Sequence, residues 1–157
     1  MCPDVFLELP GHAEVVTING LPLHPIIVHA TVIGLPALGV LALLYVAKPD
    51  LQDKLRLWLM GLALGAAALV FLTVRSGTDL QSSRGLPPSF VHVHHVWATR
   101  LEWTTFGFAA LVVLIGFVDQ RASWTKPLLH ALLVVAALAV AFLTYKTGEA
   151  GARMIYG

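Results

Sequence analysis

The sequence predicts an all-α integral membrane protein, four transmembrane helices built as a two-helix unit written twice. Three observations predict it. Of 157 residues, 57% are hydrophobic and only 12% are charged, where ordinary globular domains carry about a quarter charged residues. The mean hydropathy is +0.79. Four apolar runs approach the ~20 residues that a helix needs to cross a bilayer, and segments of the first half recur in the second.

The first span is Pro25 to Ala47, with Pro at an N-terminal position where its missing donor does no harm and Pro36 inside, where it should kink the helix. The second is Leu57 to Val74, "LWLMGLALGAAALVFLTV". The third, Trp103 to Val118, is short alone, but its apolar character begins near Val96 and the helix is expected to start near Pro88. The fourth is Leu128 to Tyr145. None of these runs shows the alternation of barrel strands, so helices are the remaining way to span lipid. "KPDLQDK" (48–54) and "DQRASWTKP" (119–127) are short polar turns, and "SSRGLPPS" is a loop and cap within a longer connection. Trp58 and Trp124 mark one interface, Trp97 and Trp103 the other. Gly61 and Gly65 form a G-x-x-x-G of the kind that lets helices approach closely.

"FLTVRSG" (71–77) resembles "FLTYKTG" (142–148), and "GLPALGVLALL" (34–44) resembles "GFAALVVLIGF" (107–117). This alignment pairs Gly77 with Gly148 and His29 with Glu102. It divides the chain into a tail, 1–20, and a four-helix domain, 21–157, with halves of about 21–85 and 86–157. Two spans per half give both halves the same orientation, about an axis along the membrane normal. Lys48, Lys54, Arg56, Arg121 and Lys126 crowd the short turns, so these turns are expected inside and both termini outside.

The formal charge of +1 leaves no nucleic-acid footprint, and the single cysteine, Cys2, cannot form an internal disulfide. The acidic N-terminal tail does not look like a cleavable signal peptide. There is no nucleophile elbow, P-loop or H-E-x-x-H, so no enzyme activity is expected.

Histidines stand out against this background. His24 and His29 open the first span. His92, His94 and His95 open the third, at the same membrane face, where Arg75, Lys146 and Glu149 also end the second and fourth. His130 falls at the opposite side and His12 in the tail. An ionisable residue within a span marks a functional site by default. Two histidines from different helices could hold a haem b iron axially, His29 with His94 or His95, with His24 closing the site and Arg75 and Lys146 neutralising propionates. Alternatively His24, His29, His94 and Glu149 could hold zinc or copper. His29 is expected deepest, ~6–8 Å inside the helix start at 1.5 Å per residue, and in need of a partner from another helix. Plainer readings stand beside these: His24 as an interfacial cap, Arg75 and Lys146 as headgroup contacts.

These residues resemble those of a bacterial family of predicted membrane proteins, domain of unknown function 2231, its actinobacterial members above all. "GLPLHPIIVH" (20–29) matches the family's opening motif throughout. Ser76 and Gly77 match a family S-G-E, with Thr78 in place of Glu. His94, Arg100 and Leu101 match a motif opening the third helix. "TGEAGA" (147–152) matches T-G-H-S-G-A, with Glu149 where histidine is usual. The resemblance covers roughly residues 18 to 157. It implies a polar cluster of His24, His29 and His94, with Glu149 a changed member. Some relatives are joined to Rieske-type iron–sulfur domains, which implies respiratory electron transfer. The leading expectation is a haem b or metal module of a bacterial cell membrane, with the histidine cluster outside. It would partner the lipid bilayer, respiratory-chain subunits or an iron–sulfur protein, and a second copy of itself. The alternatives are an accessory subunit of a respiratory complex, with no cofactor, and a small transporter or proton relay.

Overall fold

A computed structural model describes residues 17–18, 21–118 and 125–156. Thr17–Ile18 (β1) and Leu21–Pro22 (β2) form a two-residue antiparallel pairing just before the first helix. Four helices follow: α1, Leu23–Ala47; α2, Gln52–Ser83; α3, Pro88–Val118; and α4, Lys126–Tyr156. Each is long and apolar enough to cross a membrane. The expected His12, Arg121 and Trp124 features lie outside the described residues.

The connections explain themselves chemically. After α1, Pro49–Leu51 makes one 3-10 turn, and the Gln52 amide donates back to the Tyr45 carbonyl at 3.1 Å. The link between α2 and α3 is far tighter than the hydropathy suggests. Gly85, at φ 61°, ends α2 in the left-handed conformation that glycine tolerates best. The Gly85 N–H then reaches the Ser82 carbonyl (3.1 Å) and the Leu86 N–H reaches Gln81 (3.1 Å), which satisfies carbonyls the helix end leaves open. Pro88 starts α3, as expected. The longer connection from Arg75 to Arg100 is therefore a helical extension of α2, one short turn and the expected start of α3. With 32 and 31 residues, α2 and α3 run ~46–48 Å, well beyond a ~30 Å hydrocarbon core.

Each helix packs on its sequence neighbours and α1 closes against α4, so α1 and α3 stand diagonally across an up-down-up-down bundle. The starts of α1 and α3 and the ends of α2 and α4 share one end. The core stripe has heptad spacing, the mark of left-handed bundle packing. On α1 it comprises Thr31, Leu35, Leu38, Ala42 and Tyr45; on α3, Leu101, Thr105, Phe108, Val112 and Ile115. At the far end Tyr45 meets His130 edge-on, 5.9 Å between ring centres.

The close approaches are not where the G-x-x-x-G motif placed them. Gly61 and Gly65 have open space beside them and lie on the outer face of α2. Helices instead meet closely at Gly39, whose missing Cβ would stand 3.6 Å from the Ala137 carbonyl, and at Gly116, against the Met60 thioether.

Candidate functional site

At the end that gathers the histidines, the bundle holds a cavity of about 490 Å³ among all four helices. Its walls are mostly apolar, including Val28, Val70, Val91, Leu101 and Met154. That size and character suit a drug-sized or cofactor-sized molecule. His24, His29, His94 and His95 all line it.

Two of these histidines are built into the bundle. His24 continues the α1 core stripe one heptad before Thr31, so it faces α2. Its Nδ1 lies 3.0 Å from the Thr73 carbonyl and 3.1 Å from the Ser76 hydroxyl. A carbonyl only accepts, so Nδ1 carries the proton and donates. The Ser76 hydroxyl donates to the same carbonyl at 3.0 Å, leaving its oxygen to accept from His24. His94 occupies the corresponding place on α3, one heptad before Leu101, and its Nδ1 donates to the Thr147 carbonyl of α4 at 3.0 Å. In the neutral form of each ring, Nε2 then keeps its lone pair.

Glycines make room for both rings. A Cβ on Gly77 would stand 2.9 Å from the His24 Cε1, closer than side chains tolerate, and one on Gly151 would stand 3.2 Å from the His94 Nδ1. Thr73 and Gly77 thus surround His24 as Thr147 and Gly151 surround His94. By these surroundings Gly77 is likened to Gly151 and His24 to His94, whereas sequence similarity aligns Gly77 with Gly148 and His29 with Glu102.

His29 lines the cavity but does not find the partner from another helix that was expected of it. It lies well off the α1 core stripe, its ring is exposed, and its Nδ1 donates to the Pro25 carbonyl of its own helix at 2.6 Å. Depth along the helix suggested His29; phase around the helix selects His24. The heptad running from His24 through Thr31 to Leu38 was the signal that would have shown this. His95 is exposed at the cavity rim, and His92 is exposed outside it.

The charged candidates stand apart from the cavity. The Arg75 guanidinium lies over the Phe71 ring at 4.9 Å. Lys146 lies 5.7 Å over the Trp97 ring, which Arg100 also covers at 4.9 Å. Neither Arg75 nor Lys146 lines the cavity. Glu149 is held by Lys146 and by Arg153, the latter at 2.8 Å, both on its own helix. It therefore does not join His24, His29 and His94 around one ion. Among the described residues no group of three or more His, Cys, Asp or Glu side chains could hold a metal ion.

No curated protein and no solved structure matches the chain. The opening motif supplies the helix start with His24, "SG" and "TGEAG" supply the glycines beside the two rings, and four apolar helices carry them. The profile of a family described as predicted membrane protein, domain of unknown function 2231, matches residues 20–157, and the chain belongs to that family.

Proposed function

We propose that this membrane protein is an electron-transfer module that holds a b-type haem between His24 and His94. The observation that carries the reading is the matched hydrogen bonding of the two rings. Each donates Nδ1–H to a backbone carbonyl of the following helix, which leaves Nε2 free on a residue that lines the shared cavity. A ligating imidazole is ordinarily oriented by such a bond from its other nitrogen. The two helices that bear them are diagonal in the bundle, so a ligand between them would be held from opposite sides. The size and apolar walls of the cavity suit a porphyrin, which would supply one-electron transfer when bound. The chain's own part is to fix the two rings through Thr73, Ser76 and Thr147, to admit them beside Gly77 and Gly151, and to exclude water with the apolar walls.

His29 and His95 stand at the rim in this reading. Arg75 and Lys146 anchor the helix ends to the headgroup region. Zinc and copper are less well supported, since Glu149 is engaged elsewhere. A respiratory iron–sulfur protein is the partner that such a module would serve. The crowding of basic residues on the short turns supports a cavity end outside the cell.

The test is the colour of the purified protein. A reduced-minus-oxidised spectrum should show the sharp bands of a six-coordinate haem. His24→Ala and His94→Ala should each abolish them, and His29→Ala should leave them. A chain that stays colourless after expression with excess haem, or that loses its bands with His29→Ala alone, refutes the assignment.

A further inference from the structure

We propose that the outer face of α3 and α4, at the histidine end, binds an anionic phospholipid whose phosphodiester sits between Arg100 and Lys146 beside Trp97. Two cations from different helices converge there on a single ring. The Arg100 guanidinium of α3 lies 4.9 Å from the centre of the Trp97 ring, and the Lys146 ammonium of α4 lies 5.7 Å from it. Both are within cation–π range, but the arrangement also brings two like charges together. Glu149 offsets only part of this, because it is shared between Lys146 and Arg153. Among the described residues no carboxylate pairs with Arg100. Three cations around one carboxylate leave an excess of positive charge that an anion would neutralise. The other helix pair shows the contrast. There Arg75 covers Phe71, one cation on one ring. Counted from His24 as Trp97 and Arg100 are counted from His94, the positions on α1 are Ile27 and Ala30, which offer neither an indole nor a charge.

What lies beside the cations identifies the anion as a lipid. Trp103, three residues after Arg100 on α3, is 68% exposed, and Phe142, four residues before Lys146 on α4, is 56% exposed. Each spacing puts the ring on the same side of its helix as the cation. Each ring also lies one turn nearer the middle of its helix, since α3 and α4 run in opposite directions. A positive end above an exposed aromatic flank matches an anionic headgroup and its acyl chains. Arg100 supplies the planar fork of donors that suits a phosphate. A zwitterionic headgroup would add a cation where cations are already in excess. Trp97, Arg100 and Lys146 do not line the cavity, so the proposal stands whether or not the cavity holds a haem.

Native mass spectrometry of the full chain tests it. The protein, delipidated in detergent, is offered phosphatidylglycerol and phosphatidylcholine with the same acyl chains, and should retain phosphatidylglycerol in preference. A basic side chain near an anionic headgroup contributes about fivefold to binding, so Arg100→Gln should weaken retention about fivefold and the double variant with Lys146→Gln roughly 25-fold. Arg84→Gln, which removes an exposed cation at the same end of the bundle, should leave retention unchanged. Excess inorganic phosphate should not displace the lipid. Equal retention of the two lipids, or a preference that Arg100→Gln does not move, would overturn the proposal. Displacement by inorganic phosphate would overturn it too, and make free phosphate the ligand. Because the lipid preference is read on the unaltered chain, it decides the matter even if a variant misfolds. A colourless protein that still selects phosphatidylglycerol would sink the haem reading and leave this one standing.

Discussion

The two helix pairs of the bundle solve the same problem with different amounts of polarity. In α1 and α2, His24 has a carbonyl and a hydroxyl within reach of one nitrogen, and Thr31 meets Thr73 across the interface at 2.9 Å. In α3 and α4, His94 has the carbonyl alone, buried Ala150 stands where the first pair has Ser76, and Leu101 stands where it has Thr31. The second pair carries instead a buried carboxyl, Glu102, at the place of exposed Val32. What both retain is a histidine one heptad before the core, a carbonyl to orient it and a glycine beneath it. That shared minimum is what placing an imidazole requires. The differences indicate which contacts are dispensable.

The comparison breaks most visibly at the glycines. Gly77→Ala puts a methyl 2.9 Å from the His24 ring. Overpacking of this kind costs about 1–3 kcal/mol, and the gain in helix propensity, about 1 kcal/mol, offsets only part of it. The ring must shift against its bond to the Thr73 carbonyl. Gly151→Ala meets His94 at 3.2 Å, where a few tenths of an ångström of movement suffices, so propensity and crowding nearly cancel. Thermal unfolding in detergent should show Gly77→Ala clearly destabilised and Gly151→Ala within about 0.5 kcal/mol of the parent, the ordinary scatter of benign substitutions. Equal losses at the two sites would mean that the halves are packed alike.

How much of this was legible beforehand follows from what each signal encodes. Hydropathy reports transfer to lipid, so it gave four helices, Pro88 as the start of α3 and the gathering of histidines at one end. It could not report that α2 continues to Ser83, because those polar turns are helical for a different reason: internal bonding, with the Thr78, Ser82 and Ser83 hydroxyls bonding carbonyls of the preceding turn. Nor did it separate His24 from His29. Both open the same apolar run, and only the phase relative to Thr31, Leu35 and Leu38 distinguishes them. The G-x-x-x-G at Gly61 and Gly65 failed for a related reason. A spacing of four says that two glycines share a face, not which face.

Ser76 sharpens the comparison because its counterpart is an alanine. Ser76→Ala should make the first site resemble the second. It removes one neutral hydrogen bond, worth about 0.5–1.5 kcal/mol, while the carbonyl bond persists. Ala150→Ser tries the converse and should tighten His94. In the haem reading both variants keep their bands, and the midpoint potential should move in opposite directions, since each changes the electron density that one ligand offers the iron. If Ser76→Ala abolishes binding, the hydroxyl is essential and the second site must be held by something else.

The smallest effect is expected at the Thr31–Thr73 pair. Each hydroxyl has one proton. Thr31 donates to the Ile27 carbonyl at 3.0 Å and Thr73 to the Leu69 carbonyl at 2.7 Å, both within their own helices. The bridge between them, at 2.9 Å, competes with those bonds for the same protons. Interhelical hydrogen bonds in membranes average about 0.6 kcal/mol even without such competition. A double-mutant cycle with Thr31→Val and Thr73→Val should therefore return a coupling of about 0.5 kcal/mol or less. Leu101 argues the same way, since the second pair packs an apolar residue at that level and still orients His94. A coupling above about 1.5 kcal/mol, the upper end for a neutral hydrogen bond, would mean that the bridge fixes the register of α1 against α2. The asymmetry between the halves would then lie in how the helices are held together, rather than in how each histidine is held.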